Sequence, residues 1–77
     1  MTLQSLEVVV LTRDLPEHGL KAGDLGTVVE VYSADTSDVE FVTASGQTQA
    51  VVTLGSSDVR RVDPRDIVAV RRAKPAA

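Results

Sequence analysis

Seventy-seven residues make one domain, and a single core of that size supplies only ~3–5 kcal/mol of net stability. There is no cysteine, which excludes disulfides and thiolate metal sites. The net charge of −3 is unevenly spread: nine acids stand against Arg13 and Lys21 up to residue 59, whereas from Arg60 onward six bases stand against Asp63 and Asp66. An acidic body with a basic end favours a charged partner or self-association. No stretch nears the ~18 apolar residues of a membrane span. The start, Met1-Thr2-Leu3-Gln4-Ser5, has neither the basic nor the apolar run of a signal peptide, so a cytoplasmic location is expected.

The first predicted element is a β-branched run over residues 6–12. A long loop follows, over 13–26, broken by Pro16, Gly19, Gly23 and Gly26. Pro16 fixes φ as the chain leaves the first strand, and Gly19 and Gly23 permit turns that other residues would strain. Gly26 allows a close approach at the start of the second strand. Leu15, Leu20 and Leu25 recur every five residues and are expected to turn inward and cap the core.

Residues 27–32 read as the second strand and 34–37 as a turn. Residues 38–43 alternate, with Val39 and Phe41 on one side and Glu40 with Val42 on the other. Residues 44–47 make a hairpin connection in which Gly46 suits a positive φ. Residues 48–54 return, with Ala50, Val52 and Leu54 on one face. Residues 55–58 form a turn with room for one 3₁₀ turn, and 59–62 a short fifth strand. After that, Asp63-Pro64 has the chemistry of a helix N-cap and first position. Ile67, Val68 and Val70 are β-branched and argue for a sixth strand, which is the favoured reading. Lys74-Pro75-Ala76-Ala77 is expected to fray. The sum is an all-β, five- to six-stranded SH3-like barrel over residues 1–63, with a long loop between strands 1 and 2 and a C-terminal extension over 64–77.

Catalytic chemistry is thin. His18, the sole histidine, has Glu17 beside it and Asp14 and Asp24 nearby, but one histidine among loop carboxylates is a weak metal or acid–base signal. Gly19, Gly23 and Gly26 lack the Gly-Lys-Ser/Thr ending of a phosphate loop and serve as turn-makers. Tyr32 and Phe41 are the only aromatics, too few for a proline-rich-peptide groove or a base-stacking platform. No enzyme, metal or cofactor is expected. Arg60, Arg61, Arg65, Arg71 and Arg72 are the candidate partner contacts. Their plainer reading is that they solvate this end and pair with the chain's own acids.

The run Asp14-Leu15-Pro16, Gly19-Leu20, Gly23, Gly26-Thr27-Val28-Val29-Glu30-Val31, continued by Val39-Glu40-Phe41 and residues 50–54, resembles a family of short bacterial proteins classed as a domain of unknown function. The resemblance covers roughly residues 5–62 and implies an SH3-like barrel. It extends in grammar to the nitrile hydratase β-subunit barrel and its small accessory proteins and, more loosely, to the ribosomal KOW motif. With the small size, the absent catalytic groups and the charge polarity, the resemblance leads to the expectation of a non-enzymatic protein-interaction module, antitoxin-like or accessory to a protein encoded nearby. The alternative is a KOW-like nucleic-acid-binding barrel using the basic C-terminal segment, with net acidity against it. A homodimer through the C-terminal strand is a further expectation.

Overall fold

The computed structural model describes residues 3–73. Five strands, β1 (Val8–Leu11), β2 (Leu25–Val31), β3 (Thr36–Val42), β4 (Thr48–Gly55) and β5 (Val59–Arg61), form one antiparallel sheet in the order β4-β3-β2-β1-β5. The expected all-β, small barrel-like fold is the one adopted. Consecutive strands pair as a meander from β1 to β4, and β5 then returns to the free side of β1.

Alternation along the strands explains the core. Val9 and Leu11 of β1, Val28 of β2, Val39 and Phe41 of β3, Leu54 of β4 and Val59 of β5 are buried together, with Ala50 and Val52 packed against them. Gly26 sits on the core side of β2, close against β3. A Cβ there would stand 2.5 Å from Val39 Cγ1 and 2.8 Å from Phe41 Cε1, so no larger residue fits without displacing both.

The 12–24 loop plugs one end of the barrel. Leu15 and Leu20 pair across a single bridge and are both buried. Between them Pro16–His18 makes one 3₁₀ turn, which Gly19 ends in the left-handed conformation at φ 69°. Gly23, at φ 96°, donates its N–H to the Leu11 carbonyl at 2.7 Å and ties the loop to β1. Leu25 departs from the expectation: it is 40% exposed and points out of the barrel. The reason is period-two alternation, because Leu25 and Gly26 lie in one strand and Gly26 takes the core side.

The sixth strand favoured for the C-terminal extension is not formed, and neither is the alternative helix. Residues 62–73 contain no strand or helix. Asp63 instead closes a single turn: its carboxylate accepts the Arg65 N–H at 2.8 Å, and its carbonyl accepts the Asp66 N–H at 2.9 Å. Beyond it Ile67, Val68 and Val70 are exposed. β-branched residues favour a strand only where a neighbouring strand offers a ladder, and these have none. The tail expected to fray at 74–77 lies outside the described residues.

Candidate functional site

The basic end that the sequence marks as a contact is largely satisfied within the chain. Arg60 grips Asp66 with two parallel bonds, both 2.9 Å, and holds its carboxyl down to about 2. Arg61 pairs with Glu7, the residue before β1, and Arg65 pairs with Asp63 at 3.0 Å. Arg71 reaches Asp24, donating from Nε at 2.9 Å and also from Nη2, which donates to the Gly19 carbonyl at 3.1 Å as well. Burial raises the Asp24 carboxyl, but the bonds from Arg71 and the Lys21 amide outweigh it and the net shift is downward. Among the described residues Arg72 makes no ion pair.

These pairs have an architectural consequence. Arg60–Asp66 and Arg71–Asp24 fasten residues 62–73 at two points against the barrel, so this segment is an extended arm latched beside the sheet. The two latches use carboxylates from different places, one from the arm's own turn and one from the 12–24 loop. Sequence patterning had no signal for the Arg71–Asp24 pair, which joins residues 47 positions apart.

Under the arm lies the outer face of the sheet. The register sets Val10 of β1 between Arg60 of β5 and Leu25 of β2. Val10 is 6% exposed although it is no member of the main core cluster. It is thus covered from outside the barrel. Between arm and sheet runs an open groove of about 980 Å³, lined by Val10, Leu25, Val42, Val62, Val68 and Val70 among others. Val8, Leu25, Val42 and Val51 remain exposed on strands of this sheet. Glu40, paired in register with Thr27 and Val51, accepts only the Thr48 hydroxyl, at 2.6 Å. Asp38 accepts hydroxyls from Thr53 and Tyr32, which hold its carboxyl below the usual range. Among the described residues neither carboxylate has a cationic partner.

The two elements differ in standing. Residues 5–61, which hold all five strands and the loop, match the family model described as "Domain of unknown function (DUF4926)". The chain belongs to the DUF4926 family. No curated protein and no solved structure matches it. The DUF4926 match ends at the last residue of β5, so the arm, and with it Arg65, Arg71 and Arg72, lies beyond the matched segment.

The loop residues of this DUF4926 domain are occupied in holding the fold. Asp14 accepts the Ala22 N–H at 2.9 Å, Asp24 is engaged by Arg71 and Lys21, and the His18 carbonyl accepts from Gln49 Nε2 at 3.1 Å. Among the described residues no group of three His, Cys, Asp or Glu side chains is placed to hold a metal ion. None of the described helices is long and apolar enough to cross a membrane.

Proposed function

We propose that this protein is a non-enzymatic interaction module that binds another protein through the outer face of its sheet and the arm beside it. The single observation that carries this reading is the apolar groove between them. A stand-alone domain gains nothing from leaving Leu25 and Val42 on the face and Ile67, Val68 and Val70 on the arm in water, and a groove lined by such apolar side chains marks a binding site. The partner is expected to be a protein encoded nearby, to which this chain acts as an antitoxin-like or accessory subunit. Bacterial origin and a cytoplasmic setting fit that role, as does the likeness in loop grammar to the nitrile hydratase accessory barrels.

The contact surface moves from the one first expected. Arg60, Arg61, Arg65 and Arg71 already face carboxylates, Arg60 and Arg71 in latching the arm, Arg61 in holding Glu7 and Arg65 in closing the Asp63 turn, and Arg72 remains the basic contact. The same pairing weighs against the KOW-like reading, because phosphate binding would require these arginines to exchange partners.

Co-expression with the product of the adjacent gene, followed by affinity capture on this chain, tests the proposal. Co-purification that is lost in Val42→Asp/Val68→Asp supports it. Two independently eluting proteins, or capture indifferent to those changes, overturn it.

A further inference from the structure

The two edges of the sheet are built differently. With no strand formed in residues 62–73, the outer strands are β4 and β5. β5 is three residues long and two of them are Arg60 and Arg61, the short, charged form that keeps an edge from pairing. β4 runs eight residues, Thr48–Gly55, with no charge and no proline. Its register to β3 slips by one at Gln49, which leaves Ala50 to Gly55 as the regular stretch. Ala50 and Val52 face the core but are only partly buried, because the sheet stops beside them.

The ladder shows which groups of β4 face outward. The Ser56 N–H donates to the Asp35 carbonyl at 2.9 Å, one step beyond the Thr36–Gly55 pair. Antiparallel pairs alternate between bonded and non-bonded, so the bonded ones are Leu54 with Ser37, Val52 with Val39 and Ala50 with Phe41. Val51 and Thr53 then turn their N–H and C=O groups away from β3. Among the described residues no backbone bond joins either of them to anything beyond β3.

We propose that this edge pairs with the same edge of a second copy, antiparallel and about a two-fold axis through Val52. Val51 of each copy then exchanges two backbone bonds with Thr53 of the other, four in all. In this register the strand is its own complement. On the outer face β-branched Val51 meets the isosteric Thr53. On the core face Val52 meets itself and small Ala50 meets large Leu54. The acidic rows of Asp38 and Glu40 stay three strand spacings apart across the axis, about 14 Å, beyond the ~8 Å screening length. β4 carries no charge with which to select a different strand. The edge is also separate from the groove, to which β4 contributes only Gln49 among the described residues. A monomeric chain would leave the groove reading standing, and loss of the neighbour's binding would leave this one standing.

Sedimentation equilibrium and amide hydrogen exchange on the full chain decide it. The wild type is expected to form a concentration-dependent dimer in which the Val51 and Thr53 amides become protected as concentration rises. Val51→Pro removes an outward N–H that β3 does not use, a change an edge strand tolerates, and circular dichroism checks that the sheet persists. Two of the four bonds are then lost per dimer, so association should weaken by about 100-fold. Since the chain has no cysteine, Val52→Cys sets two thiols opposite each other across the axis, with Cα atoms about 4.5 Å apart and within disulfide reach. Val51→Cys sets them on diagonal positions, beyond the ~7 Å that a disulfide spans. Air oxidation should therefore link Val52→Cys chains in pairs faster than Val51→Cys chains. A wild type that stays monomeric at about 1 mM overturns the proposal. So does a dimer that Val51→Pro leaves intact, a dimer whose Val51 and Thr53 amides stay unprotected, or faster linking through Val51→Cys.

Discussion

Arg71 binds Asp24 in fork-to-fork geometry and, through Nη2, the carbonyl of Gly19, so one side chain joins the arm to both turns of the 12–24 loop. The pair is two-thirds or more shielded from solvent at the side chains. Arg71→Ala is expected to cost no more than about 1 kcal/mol of global stability, because partly exposed pairs of this kind contribute little. Its main effect should be local. Amide hydrogen exchange over residues 67–73 should rise in the variant while exchange in β1 to β3 stays unchanged. Equal acceleration in the sheet would show that the latch serves the barrel and not the arm.

The second latch makes the arm acid-sensitive. The folded-state carboxyl of Asp66 lies at about 2 against an ordinary 3.8, and that of Asp24 is lowered too. A depressed carboxyl contributes stability that is complete above the unfolded value and fades as pH falls toward the folded value. The arm should therefore remain latched at pH 5 and release between about pH 4 and pH 2. NMR shifts of Ile67 to Val70 should titrate in that window. A midpoint at pH 6 or above would contradict the assignment, since it would require a group other than these carboxylates.

Gly26→Ala should destabilise the domain by about 1–3 kcal/mol, because the added methyl overlaps Val39 and Phe41 inside a packed core. The midpoint of urea unfolding reports this directly. A stability within 0.5 kcal/mol of wild type, roughly the scatter of neutral surface changes, would mean that β2 shifts freely outward.

Leu6 is the one non-glycine residue with positive φ among those described, at 70°, in the turn where the Glu7 N–H meets the Gln4 carbonyl. Its side chain is 75% exposed and gives the core nothing. Leu6→Gly relieves an αL cost of ~1–2 kcal/mol and adds back roughly half of it in chain entropy. A net gain of ~0.5 kcal/mol is expected, seen as a small rise in Tm. A drop in Tm would show that Leu6 packs against a neighbour.

How far the residues announce this structure varies along the chain. Residues 38–43 and 48–54 show their faces plainly, since Val39 and Phe41 alternate with acids and Ala50, Val52 and Leu54 alternate with polar or exposed positions. Gly19, Gly23 and Gly26 likewise announce turns and a close approach, and each has that role. Leu25 misleads, because a five-residue recurrence with Leu15 and Leu20 looks like a cap until the neighbouring glycine takes the core side. Ile67, Val68 and Val70 mislead for a different reason: strand propensity is a property of residues, but a strand is a property of pairs.

By itself, then, the sequence determines the all-β class, the five strands and the architectural loop, because alternation and glycine placement are local and act within a few residues. Tertiary structure alone decided what the basic end is for. Arg60 finds Asp66 six positions away, Arg61 finds Glu7 across 54 positions, and Arg71 finds Asp24 across 47. Charge counting leaves these arginines two readings, a basic contact for a partner or pairing with the chain's own acids, and names no pairs. The fold brings them to particular carboxylates, and the surface left open is the groove between the sheet face and the arm that Arg60 and Arg71 latch beside it.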